Sequence, residues 1–123
     1  MKKVSVHMVS KFFEKYDRTL VEIDGYYRAG ILYDKDIDSL EKLHICHGNK
    51  DLAKFTMEEA LENIGEEEYA GKIRLIATVG GALTSYKNLR WIFKVDLLDD
   101  LGNVKKSYQV DRRRIPKYWR EKL

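Results

Sequence analysis

Residues 72–110 read KIRLIATVGGALTSYKNLRWIFKVDLLDDLGNVKKSYQV, and this stretch decides the fold. Ile73, Leu75, Ala77 and Val79 alternate with Lys72, Arg74 and Thr78. Leu89, Trp91, Phe93, Val95 and Leu97 alternate with Arg90, Lys94 and Asp96. A period of two is that of a strand with one buried face. Asp99-Asp100-Leu101-Gly102-Asn103 supplies turn residues, and Val104 to Val110 returns across it. The connections are short, so 72–79, 89–98 and 104–110 are expected as consecutive strands of one antiparallel sheet. Trp91 and Phe93 should then share the core face with Leu89 and Val95, opposite Arg90 and Lys94.

Upstream of this sheet, Thr56 and Glu59 have the spacing of a capping box. Met57, Ala60, Leu61 and Ile64 form an apolar stripe behind it, and Gly65 ends the helix. Asp38 and Glu41 have the same spacing, with Gly48 as the stop of a short helical element. Leu20 to Ile23 reads as a strand, Asp24-Gly25 as a hairpin turn, and Tyr26 to Tyr33 as the returning strand, with Tyr27, Ala29, Ile31 and Tyr33 on one face. Near the N-terminus, Val4, Val6 and Met8 suggest a short strand leading to a turn or helix around Ser10 to Tyr16. Pro116 suits the first turn of a short C-terminal helix. The expected fold class is α+β: a single domain over residues 1–123, with a mainly antiparallel sheet of about five strands, one central helix and a short C-terminal helix.

Apolar residues make up 44% of the chain and charged residues 35%, a balance that buries one core rather than leaving a disordered chain. The single cysteine, Cys46, excludes an intrachain disulfide and suits the reducing cytoplasm. The first residues hold no long apolar run, so no secretory signal or membrane association is expected.

The net charge of +3 is unevenly spread. Residues 1–33 carry +2, residues 34–70 carry −7 and residues 71–123 carry +8. The last twelve residues concentrate Arg112, Arg113, Arg114, Lys117, Arg120 and Lys122 around Tyr118 and Trp119. Cations displace counterions from a phosphate backbone and large aromatics stack on bases. Arg112, Arg113, Arg114, Lys117, Trp119 and Arg120 are therefore the expected nucleic-acid-binding residues, with Arg113, Lys117 and Arg120 on one helical face. Lys72, Arg74, Arg90 and Lys94 can extend that surface. The rival is that the aromatics pin the tail while its arginines pair with the acidic middle. The leading reading is a non-enzymatic binding module whose partner is a nucleic acid or a nucleic-acid-handling protein.

A second reading takes Glu58, Glu59, Glu62, Glu66, Glu67 and Glu68 as a protein-binding patch that mimics a phosphate backbone. A third is a small metal-dependent hydrolase or nuclease using Asp34, Asp36, Asp38 and His44 or His47. The aspartates lack the glycine and glutamate of a calcium loop, since Ser39 and Ile45 stand there. His44, Cys46 and His47 lack the second ligand pair of a zinc site, so Cys46 reads as a structural thiol. Gly80 to Ser85 lacks the lysine and following helix of a phosphate loop, and reads as a connection between strands. Tyr26, Tyr27 and Tyr33 can form a protein-binding face or pack across strands. No cofactor, metal or catalytic residue is expected.

Overall fold

The structure is a computed structural model that describes residues 1–45, 54–81 and 84–123. The chain opens with strand β1 (Lys2–Ser5), helix α1 (Val6–Lys11) and helix α2 (Phe13–Tyr16). The Ser5 hydroxyl accepts the Met8 N–H at 3.1 Å and caps α1, so the helix starts earlier than Ser10. Strands β2 (Leu20–Arg28), β3 (Ile31–Tyr33) and β4 (Lys42–Ile45) follow, and then helix α3 (Met57–Ile64). Strands β5 (Gly71–Val79), β6 (Asn88–Leu98) and β7 (Val104–Gln109) come next, ahead of a 3₁₀ turn (Arg112–Arg114) and helix α4 (Lys117–Arg120).

The three strands read from residues 72–110 are present in antiparallel sequence. The α+β class holds, but the described residues form one mixed sheet of seven strands with four short helices, rather than about five strands with one central helix. Two pairings are parallel, β1 with β2 and β4 with β6. Strand order runs β1-β2-β3-β4-β6-β5, and β5 pairs back onto β2. Five strands, β2-β3-β4-β6-β5, thus close into a ring. Its interior holds Val21, Ile23, Leu32, Leu43, Leu75 and Val95, all at most 1% exposed. Met57, Ala60 and Leu61 of α3 join this core, as the stripe predicts. Thr56 accepts the Glu59 N–H at 3.1 Å, and Gly65 stops the helix in the left-handed region at φ 82°.

The face of β6 departs from simple alternation. Ala77 stands opposite Ile92 and Ile76 opposite Lys94, so Phe93 is an extra residue in β6. Val79 stands opposite Leu89, which leaves Arg90 and Trp91 together against Thr78. Each bulge resets the alternation. Leu89, Ile92, Val95 and Leu97 face the ring interior, whereas Trp91 and Phe93 join a second cluster with Leu20, Phe55, Val110 and Ile115. Trp91 therefore lies beside Arg90, whose guanidinium sits 4.9 Å from its ring, and not across the strand from it.

The hairpin turn lies five residues beyond Asp24-Gly25. β2 runs straight through that pair, and the chain reverses at Ala29-Gly30, both left-handed (φ 47° and 81°). Gly25 is needed for close approach: a Cβ there would meet the Tyr33 carbonyl oxygen at 2.7 Å and Leu32 Cγ at 2.8 Å. Tyr27 then points inward and its hydroxyl accepts the Gly30 N–H, while Tyr26 pairs with Tyr33 across the strands. Tyr27 and Tyr33 therefore do not share a face. Gly25→Ala should cost about 1–3 kcal/mol by forcing β2 and β3 apart. Urea unfolding measures this, and a change below about 0.5 kcal/mol would show that the strands yield freely.

The helix expected after Asp38 is a loop followed by β4. Leu43 pairs with Leu32 and His44 with Ile31, and the burial of Leu43 and Ile45 outweighs the capping-box spacing. Gly48, its expected stop, lies outside the described residues.

Candidate nucleic-acid interface

The C-terminal segment is laid across the outer face of β5 and β6 by two buried anchors. Val110 and Ile115, each 2% exposed, enter the second cluster and hold residues 111–114 as a tight turn between them. Pro116 then starts α4, its carbonyl accepting the Trp119 and Arg120 N–H groups at 3.0 and 2.9 Å. Trp119 packs edge-on against Trp91, with ring centroids 6.5 Å apart. Tyr118 packs edge-on against Trp119 at 4.8 Å, yet its own side is 61% exposed. Trp119 and Leu123 pin the tail, whereas Tyr118 stands in solvent.

The expected binding cations are not equivalent. Helix α4 begins only at Lys117, so Arg113 does not share a face with Lys117 and Arg120. Arg113 instead makes a two-pronged pair with Asp111, at 3.2 and 2.8 Å. That side-chain pairing, aided by the Arg113 N–H, draws the Asp111 carboxyl down to about 2. Arg114 reaches Glu59 of α3 at 3.0 Å, which raises the guanidinium further above its usual range. Lys117 lies 3.9 Å from Glu121, and Arg112 donates to the Arg120 carbonyl at 3.2 Å. Of the strand cations, Arg74 is paired with Asp24 at 2.7 Å, Lys94 lies 3.9 Å from Asp96, and Lys72 donates to the Asp100 carbonyl. Apart from the contact of Lys94 with the buried Asp96, these are exposed contacts of small net worth, so they bias the cations without locking them away.

Two clefts flank the aromatic pair of α4. One, of about 300 Å³, is lined by Arg18, Arg90, Trp91, Tyr118, Trp119 and the backbone of Gly80 and Gly81. The other, of about 470 Å³, is lined by Arg18, Thr19, Tyr118, Trp119, Lys122 and the acidic Glu121. The first has the size of a small ligand pocket and combines aromatic walls with guanidinium groups. Arg90 is fixed there by donating to the Gly81 carbonyl at 3.0 Å. Gly80 and Gly81 are both left-handed, at φ 69° and 83°, and form the start of the β5–β6 connection, of which Ala82 and Leu83 lie outside the described residues. The sequence pointed to Tyr118, Trp119 and Arg90 but not to Arg18. Nothing in the local sequence marks Arg18, because its place in both clefts comes from the docking of a distant tail.

The acidic residues divide as well. Glu59 is taken up by Arg114, and Glu66 lies 2.9 Å from Lys106. Glu62, Glu67 and Glu68 are exposed, and Glu58 also faces solvent while making contacts of its own. Two of the six expected patch residues thus face the chain's own cations. The aspartate run serves its loop: Asp34 accepts the His7 N–H at 2.9 Å, and Asp36 accepts that of Asp38 at 2.9 Å. Among the described residues no group of three or more His, Cys, Asp or Glu is placed to hold a metal ion. His44 stacks on Tyr86 with centroids 4.3 Å apart, while Cys46 and His47 lie outside the described residues.

No described helix is long and apolar enough to cross a membrane. No protein-family model, curated protein or solved structure matches the chain.

Proposed function

We propose that the chain is a non-enzymatic module that binds single-stranded nucleic acid at its C-terminal segment. The observation that carries this reading is the solvent-facing Tyr118, packed edge-on against Trp119, with both rings lining two clefts that are each also lined by cations. Unstacked bases have exposed π-faces that such aromatics cover, and guanidinium and ammonium groups meet the phosphates beside them. A duplex would hide those faces, and α4, at four residues, is too short to read a groove. The ring of five strands with a helix between its third and fourth members resembles the small Greek-key barrels that bind oligonucleotides and oligosaccharides. That likeness is an analogy of architecture and supports the reading only as such. The acidic-patch reading is weaker, because Glu59 and Glu66 are occupied within the chain.

Tyr118→Ala tests the proposal with little disturbance of the core. It should weaken binding of a labelled single-stranded oligonucleotide by about 1–3 kcal/mol, roughly 5–150-fold. Its stability should stay within about 0.5 kcal/mol of wild type, because the side chain is largely exposed. Trp119→Ala is less clean, since that ring also packs on Trp91. Fluorescence anisotropy at low salt and a thermal melt give the two readouts. No binding by the wild type at low salt removes the proposal. Charge reversal at Glu62, Glu67 and Glu68 against basic partners would then be the next experiment.

A further inference from the structure

We infer that Arg18 holds the phosphate linking two successive nucleotides, one in each cleft beside Tyr118 and Trp119; the inference rests on the single-strand reading above. Among the described residues, Arg18 is the one cation that lines both clefts. A strand that places one base in each cleft carries its phosphodiester past the residues common to both. Arg90 in the first cleft and Lys122 in the second then stand where the flanking phosphates would lie.

The backbone at Arg18 supplies an independent observation. Its φ of 60° is left-handed, a region that residues with a Cβ other than Asn and Asp seldom occupy. The conformation is held by the sheet: Arg18 N–H donates to the Val79 carbonyl at 2.7 Å, and Val79 N–H donates to the Thr19 carbonyl at 2.9 Å. Asp17 presses its carboxylate onto Gly80, where a Cβ would stand 1.9 Å from Oδ1. Glycine at position 18 would meet the same backbone demand without strain, yet an arginine stands there. Strained residues of this kind cluster at binding sites. The Arg18 side chain is 81% exposed, and its pair with Asp17 is at 4.0 Å, so it can turn to a phosphate.

The experiment titrates the full chain with labelled oligothymidylate and oligouridylate of about twelve nucleotides at several salt concentrations. Arg18→Gln and Arg18→Gly should each flatten the slope of log affinity against log salt by about 0.7, while Arg18→Lys keeps it. Arg18→Gly should melt at or above the wild-type temperature, which separates lost binding from lost folding. With a dinucleotide read by tryptophan quenching, replacing the linking phosphate by an uncharged methylphosphonate should weaken wild-type binding about tenfold and leave Arg18→Gln unchanged. Tighter binding of either oligomer assigns RNA or DNA as the strand, and both results support the inference. If the wild type binds but the Gln and Gly variants keep its salt slope, Arg18 does not hold the phosphate and only this inference falls. If the wild type binds neither oligomer, the inference falls together with the single-strand reading.

Discussion

Phe93→Ala should lower the free energy of unfolding by about 3–5 kcal/mol. Phe93 is 1% exposed and packs edge-on against Phe55 at 5.2 Å. Its carbonyl also accepts the Val110 N–H at 2.9 Å, at the point where the tail leaves β7. The cavity would open beneath Ile115 and Trp119, the residues that seat the C-terminal segment. Domains of this kind have about 5–15 kcal/mol of stability in total, so the loss takes a large share of it. Urea unfolding followed by tryptophan fluorescence measures the change, because Trp91 lies 6.4 Å from the lost ring and Trp119 packs on Trp91. A loss below about 1 kcal/mol would mean that the second cluster is loosely packed and that the clefts above it are not built sites.

Leu43→Ala should cost about 2–5 kcal/mol, although it sits in a strand of only four residues. Leu43 is fully buried and faces Leu32 across β3. Among the described residues β4 joins β6 through two register pairs, His44 with Asn88 and Ile45 with Leu89. Loss of the Leu43 side chain therefore weakens the narrowest seam of the ring as well as its filling. Hydrogen exchange of the β4 amides should accelerate more than that of β5, alongside the shift in the urea midpoint. Equal acceleration everywhere would show that the ring opens as a whole and has no weak seam.

The C-terminal third was legible because its strands are long and its turn is rich in Asp, Gly and Asn. The outward turn of Trp91 and Phe93 was not. Residues 91–93 form an unbroken apolar run, and a strand covered on both faces loses the polar residues that mark its outer side. The bulges at Arg90-Trp91 and Phe93 leave no mark in such a run. Asp24-Gly25 is a strong hairpin signal, overridden because Gly25 is used to admit the Tyr33 carbonyl. Asp38 and Glu41 matched a cap spacing, but Leu43 and Ile45 gain more by burial in the ring. The basic tail and the acidic helix were both visible as charge. Their mutual pairing through Arg114 and Glu59, 55 residues apart, depends on tertiary packing. Arg18 left no trace for the same reason.

The closed ring also bears on how fast the chain acquires its structure. The turns at β2–β3 and β6–β7 join neighbours and can form early. The contacts that complete the circle are distant: Asp24 meets Arg74 across 50 residues, and His44 must reach Asn88. The entropy of closing such loops is spent before the interior side chains find one another. A chain of mostly non-local strand pairs belongs with the slow folders, on the order of milliseconds to seconds. Until Val110 and Ile115 are seated, Ile76 of β5 and Phe93 of β6 lack their apolar cover. Seating of the segment after β7 therefore shields the sheet from self-association only once the ring has closed.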